Sequence, residues 1–291
     1  ELTVKRFADD MFGDRSGVYG LKAGSKEIDL IKTMTGPERS FSYVSLATTD
    51  YPESEVVAFG TANAELFAKY DFSIITLGTE AAAKKVSDSI AKKTITFDDA
   101  TTTYSTKIGA DTAGKLLKSL RFDINTLFPD AKDLATVLAL KPGDVSPILK
   151  DGKAFMILRC NAAPLEADFS RPEVIAEVSS YMTIKEKGKI EDYFVAKAKE
   201  FATDARASGF DAACKKSGLE KKNTSPFGIN YGDVNILTPI PVQTNPELAA
   251  AAKSETFFKT AFSLAPDAVS EPVILGNNVV ATFKGPQRPR A

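Results

Sequence analysis

Apolar and polar residues partly alternate along Phe41-Ser42-Tyr43-Val44-Ser45-Leu46, and Asp71 to Leu77 carries a second apolar run through Phe72, Ile74, Ile75 and Leu77. Short runs rich in β-branched and aromatic residues predict strands. Tyr51-Pro52 marks a turn after the first strand, and Glu53 to Lys69 reads as a helix. Beyond the second strand, Thr79-Glu80 opens an Ala-rich helix over 81–92, and Phe97 to Tyr104 reads as a shorter one. Residues 105–129 are loop-like with helical pieces. Ala131 to Leu140 is helical up to the breaker Lys141-Pro142-Gly143, and a hairpin from Val145 to Cys160 turns at Asp151-Gly152.

Asn161 to Asp168 reads as a linker. Ser170-Arg171-Pro172-Glu173 then supplies an N-cap, a first-turn proline and a capping-box glutamate, and predicts a long helix running towards Ser208-Gly209 that Gly188 bends or divides. Phe210 to Lys216 is a further short helix, and Asn223 to Thr244 is turn-rich with β segments. Residues 1–37 hold five glycines and no long apolar stripe, so they predict no core of their own.

One plan occurs twice. Leu138-Ala139-Leu140-Lys141-Pro142-Gly143-Asp144-Val145-Ser146 aligns without gaps on Phe262-Ser263-Leu264-Ala265-Pro266-Asp267-Ala268-Val269-Ser270, and the register carries on to Gly152 and Gly276. Phe97-Asp98-Asp99-Ala100 has a weaker counterpart in Phe210-Asp211-Ala212-Ala213.

Composition narrows the chemistry. The 291 residues carry 37 Lys and Arg against 38 Asp and Glu, a net charge of -1, which disfavours a nucleic-acid binder that works through a basic field. The histidine count is 0, which excludes Ser-His-Asp and Cys-His catalysis and every His-containing zinc site. Two cysteines, Cys160 and Cys214, cannot supply four thiolates, and each sits in an apolar run that suits a free core thiol. No glycine-rich phosphate loop is present, so neither a metal nor a cofactor is expected. No apolar run approaches the roughly 18 residues of a membrane span. The chain opens on Glu1 rather than Met, which leaves room for a signal peptide or membrane anchor upstream.

The order of strand, Ala/Lys-rich helix, Phe97-x-x-Ala100-x-x-x-Tyr104-Ser105 and Leu138-Ala139-Leu140-Lys141-Pro142-Gly143-Asp144-Val145-Ser146-Pro147 with its closing hairpin resembles the parvulin family of peptidyl-prolyl isomerases. The flanking segments resemble the periplasmic folding factors of the SurA/PpiD type. The resemblance implies an α+β fold: an N-terminal segment over 1–69, the remnant of a chaperone module, then a parvulin-like domain over 70–163. A long helix and a second, degenerate parvulin-like module would fill 164–291. It also implies where function should lie. Parvulins place one histidine on the first strand and another on the last, and those places fall near Ile74 and near Ala154 or Phe155, while the family's Asp/Cys position falls near Tyr104 or Ser105.

Both histidines being absent, no catalytic residue is assigned. The expected remnant is an apolar peptide-binding groove formed by Ile74, Tyr104, Ser105, Leu127, Phe128, Leu138, Ala154 and Met156. The function that follows is a periplasmic chaperone whose partners are unfolded or extended client polypeptides, held rather than turned over. A homodimer and an inner-membrane anchor are compatible with it. Two rivals stand beside it: a His-free isomerase that binds the twisted imide through Tyr104, Ser105 and backbone groups, and an assembly protein with one fixed partner.

Overall fold

The computed structural model describes residues 38–286 apart from 153, 236 and 277, so the expectations for 1–37 lie outside the described residues. The first elements in chain order are β1 (Ser42–Ala47), α1 (Glu53–Ala62), β2 (Lys69–Leu77), α2 (Glu80–Ala91) and α3 (Phe97–Tyr104). They are followed by α4 (Arg121–Leu127), α5 (Ala131–Leu138), β3 (Leu149–Asp151), β4 (Ala154–Leu165) and α6 (Pro172–Lys185). The last are α7 (Lys187–Ser208), α8 (Phe210–Ser217), β5 (Lys222–Asn223), α9 (Glu255–Phe262), β6 (Val273–Gly276) and β7 (Val279–Lys284). Helices and antiparallel sheets are thus mixed, in agreement with the expected α+β class.

The chain divides into two compact units. One is continuous, residues 52–182, and is inserted in the sequence of the other, which is split into 38–51 and 183–286. The expected boundaries at 69/70 and 163/164 are corrected accordingly. Residues 42–47 are not part of a separate N-terminal segment, because they pair along β7 from Ser42 opposite Lys284 to Ala47 opposite Val279.

In the inserted unit the sheet runs β2-β4-β3, and Lys115 adds a bridge to Ser73 on the outer side of β2. Side chains alternate between its faces. Phe72, Ile74, Met156, Leu158 and Cys160 face Ile124, Phe128 and Val137, which α4, the residue that follows it and α5 bring onto one core. Ile75, Leu77 and Ile157 face Ala83, Val86, Phe97 and Ala100 of α2 and α3. Thr79, Thr96 and Asp130 cap α2, α3 and α5 by accepting backbone N–H bonds, contributing about 1 kcal/mol each. Phe59 and Tyr181 of α1 and α6 pack with Phe67 and Phe122, with Phe67 and Tyr181 at 5.5 Å between ring centroids.

The split unit repeats this order as β5-β1-β7-β6. Phe41, Tyr43, Ala281 and Phe283 share one core with Phe257, Phe258 and Ala261 of α9, and Val44 packs on the other face with Phe201, Ala205, Phe210 and Ala213 of α7 and α8. The two hairpins share the bonds of one serine. Ser146 Oγ accepts from Leu158 N at 2.9 Å while Leu158 O accepts from Ser146 N at 2.8 Å, and Ser270 does the same with Phe283 at 2.9 and 2.8 Å. Val145 bridges Arg159 as Val269 bridges Lys284. Gly143 and Asp267 share a left-handed backbone, as do Gly152 and Gly276.

Two helix expectations are corrected. The helix from Glu53 stops at Ala62, where Asn63 leaves helical geometry, and a short 3-10 turn over Ala64–Phe67 leads into a strand that starts at Lys69. The long helix divides at Glu186 (φ -122, ψ 26), two residues before the glycine expected to divide it.

Candidate functional site

The expected groove residues fall into two groups. Ile74, Phe128 and Met156 are only 1%, 2% and 3% exposed, with Leu127 and Leu138 half-buried against the same core. They join the sheet to α4 and α5, so the expectation that they form the wall of an open groove is corrected: the helices already fill that face. Ala154 is half-buried at the start of β4, opposite Asp151.

Tyr104 and Ser105 lie apart from that core, where α3 ends and a loop begins. Ser105 Oγ accepts from Thr76 N at 3.0 Å and Lys107 N at 3.3 Å, and Thr106 N donates to Thr76 O, so the loop is tied to β2. The loop returns along the same strand: Leu116 N donates to Phe72 O and Ile74 N to Gly114 O. Gly114 is needed here. Its φ is +81°, and a Cβ would stand 2.0 Å from Thr101 Cγ2.

This held loop exposes apolar side chains. Ile108 and Leu117 are 65% and 66% exposed and Tyr104 is 45% exposed, while Ile108 O accepts from Thr76 Oγ1 and Leu117 N donates to Gly109 O. Single exposed apolar residues are ordinary; here Ile108 and Leu117 lie on one hydrogen-bonded loop, joined by the bond from Leu117 N to Gly109 O, and Tyr104 ends the helix that leads into it. Ile108 and Leu117 are not among the residues expected from the sequence. The available signal was the isolation of Ile108 as a large apolar residue in Thr106-Lys107-Ile108-Gly109; Leu117 follows Leu116, which is buried, and carries no such mark.

The polar groups near by are already engaged. Asn161 donates to Asp71 and to Ser73, and Arg159 holds Asp98 through two bonds of 2.9 and 3.2 Å while its guanidinium lies 4.9 Å from the Phe97 ring centre. The Asn161 hydrogen bond, and after it Lys115, hold the Asp71 carboxyl below its ordinary value against the opposing effect of burial. Burial pushes the Cys160 and Cys214 thiols up, as expected for inert core thiols; both are free.

At the place where the inserted unit has Ile74, the split unit has Tyr43. The equivalence follows from register, since Ile74 faces Leu158 and Tyr43 faces Phe283. Tyr43 is fully buried, donates to Glu247 Oε1 at 2.7 Å and accepts from Asn245 Nδ2 at 2.7 Å, and Lys222 Nζ reaches the same Oε1 at 2.7 Å. Burial above all, then the hydrogen bond to Glu247, pushes the phenol far up. Burial also acts to raise Glu247, but bonds from Lys222, from its own backbone N–H and from Tyr43 outweigh it and leave the carboxyl below its ordinary value. Every member has a partner, which suits a clamp on the 3-10 turn Pro246–Leu248 better than a proton shuttle. Among the described residues no group of three potential metal ligands comes together, and no helix is long and apolar enough to cross a membrane.

A protein of Treponema pallidum (strain Nichols), described as uncharacterized, is 42% identical to this chain over 186 residues, which are 64% of the chain and 73% of that protein. The chain belongs to its family. An uncharacterized protein of Borreliella burgdorferi (strain ATCC 35210 / DSM 4680 / CIP 102532 / B31) is 26% identical over 257 residues, 88% of the chain, which spans 50% of that protein's length. The family model TP_0929_3rd, described as a third domain, matches residues 223–285. That span contains β6 and β7 but not β1, the strand between β5 and β7 in the same sheet. Two solved structures are more distant. PrsA from Bacillus subtilis is 18% identical with a TM-score of 0.30, over 57% of this chain and 54% of that one. The PrsA peptidylprolyl isomerase from Bacillus cereus is 15% identical with a TM-score of 0.33, over 57% of this chain and 64% of that one.

Proposed function

We propose that this chain is a parvulin-like folding factor without isomerase chemistry, working in the periplasm by holding extended segments of unfolded polypeptides. The observation that carries the reading is the residue at matching register positions of β2 and β1. The places that correspond to the parvulin first-strand histidine hold Ile74 and Tyr43, both buried, in a chain with 0 histidines. Prolyl isomerisation has a barrier of roughly 20 kcal/mol and is accelerated by groups that bind the twisted imide better than either planar form. A buried isoleucine offers no such contact, and the buried tyrosine is already bonded to Glu247 and Asn245.

Surface for holding remains. Tyr104 at the end of α3, and Ile108 and Leu117 on the loop fixed to β2, expose apolar groups, and weak apolar contacts at several points on one chain add through effective concentration. The test is a protease-coupled prolyl assay run beside aggregation of an unfolded client at stoichiometric protein. Suppressed aggregation with an isomerisation rate at the uncatalysed background is the expected result. Isomerisation above background would replace the holding mechanism by an enzymatic one, and silence in both assays would sink the folding-factor reading.

A further inference from the structure

Each sheet ends in a strand paired on one side only. In the inserted unit this is β3, hydrogen-bonded to β4, and in the split unit it is β6, hydrogen-bonded to β7. The repeat sets Lys150 of β3 against Ile274 of β6, the middle residue of each short run. Lys150 is exposed and its ammonium lies 5.8 Å from the centre of the Phe155 ring on the neighbouring strand. Ile274 is 45% exposed between Val273 and Leu275, both 2% exposed.

The difference has a physical meaning. A free strand edge is a template for another strand, and a lysine on it is one of the devices by which proteins block such pairing. The edge of β3 carries that device and the edge of β6 does not. Within Val273-Ile274-Leu275-Gly276 there is no proline and no charge, and two of the residues are β-branched, so its side chains do not oppose an added partner; its register on β7 shifts between Ile274 and Gly276, which leaves Val273 and Ile274 as the regular part of the edge.

We infer that the outer edge of β6 takes an extended, alternately apolar polypeptide segment by strand addition, main-chain hydrogen bonds supplying most of the hold and Ile274 favouring an apolar residue opposite it. The inference rests on the reading of the chain as a binder of extended segments, and it names where one such segment docks. Main-chain pairing is tolerant of sequence, as a factor with assorted clients requires. A second copy paired edge to edge is the competing occupant. A strand of 4 residues provides much less contact than the roughly 1,200 Å² of a stable specific interface, whereas a client that must be released needs only a weak hold.

The test uses the full chain and a short fluorescent peptide of alternating valine and threonine, followed by anisotropy. Ile274→Lys, which copies the residue of β3, should weaken binding by about tenfold or more with the circular dichroism spectrum unchanged. The same peptide N-methylated at alternate residues cannot pair and should lose binding to the unaltered protein, a result that does not depend on how the variant folds. Equal binding of both peptides overturns strand addition. If the chain suppresses client aggregation while the two peptides bind alike, the docking site falls and the folding-factor reading stands. If the chain holds neither client nor peptide, both fall.

Discussion

The inserted and split units place different chemistry on one frame. Their hairpins share the seryl bond, made by Ser146 to Leu158 and by Ser270 to Phe283, and the left-handed turn residues at Gly143 and Asp267. What differs is the filling. Ile74 against Tyr43, Ile157 against Thr282, and Lys150 against Ile274 occupy matching positions on one face, on the opposite face and on the last strand of the two sheets. The shared features are those that fix the backbone, namely turn conformation and hydrogen bonds to otherwise unpaired strand groups. The varied ones decide what each unit buries and what it leaves open.

The sharpest way to break the comparison is to remove β1. Because β1 lies between β5 and β7, deleting residues 38–47 should unfold the split unit and leave 52–182 as a protease-resistant fragment. Hydrogen exchange read unit by unit checks this; loss of protection in both units would contradict the division. Next in size are the matched core truncations. Phe283→Ala should cost about 3–5 kcal/mol in the split unit, and Leu158→Ala about 2–5 kcal/mol in the inserted one, each measured by denaturant unfolding with a probe in its own unit.

How much of this could be read beforehand depends on distance along the chain. The β6–β7 hairpin and its counterpart were legible because Pro142-Gly143 and Pro266-Asp267 punctuate similar apolar patterns, and turn chemistry is local. The free state of Cys160 and Cys214 was legible from the apolar runs around them. The partner of β1 was not, since no local signal links Ser42 to Lys284 across an inserted domain. Strand-like Phe41-Ser42-Tyr43-Val44 could equally have closed a small N-terminal core. The groove failed for a related reason: alternation puts Ile74, Met156 and Phe128 on one face but does not say that α4 and α5 cover it. Ile108 and Leu117 escaped notice because exposure of an apolar loop residue leaves no periodic trace.

Smaller effects sharpen the comparison further. Ser146→Ala and Ser270→Ala each strand a buried backbone N–H and should cost similar amounts, about 1–3 kcal/mol, in their respective units. Unequal costs would show that the shared bond serves the two frames differently. The central residue gives the split unit a pH dependence that Ile74 cannot give its counterpart. Tyr43 has its pKa raised, so its contribution is fully present below the ordinary value of 10.0 and is lost as pH rises above it. Glu247 has its pKa lowered, so its contribution is present above the ordinary 4.5 and is lost as pH falls below it. Thermal unfolding across pH should show both arms, and Tyr43→Phe should remove the alkaline arm that arises at this position.

The smallest expected effect concerns Thr282. Its hydroxyl is fully buried and has no hydrogen-bond partner among the described residues, where the inserted unit has Ile157. Thr282→Val should therefore be neutral or stabilising by up to about 1 kcal/mol, a shift readable in the unfolding midpoint. A clear loss would mean that the hydroxyl serves the fold in a way the matching isoleucine does not.

The proposed function is that this histidine-free chain holds extended polypeptide. Its most direct test is equilibrium binding of the full chain to a permanently unfolded protein, reduced and carboxymethylated so that it cannot fold, with its native form as control. Saturable, reversible binding of the unfolded form alone, weakened by Ile108→Ser with Leu117→Ser, is the result expected. No binding, or equal binding of the native form, would contradict it.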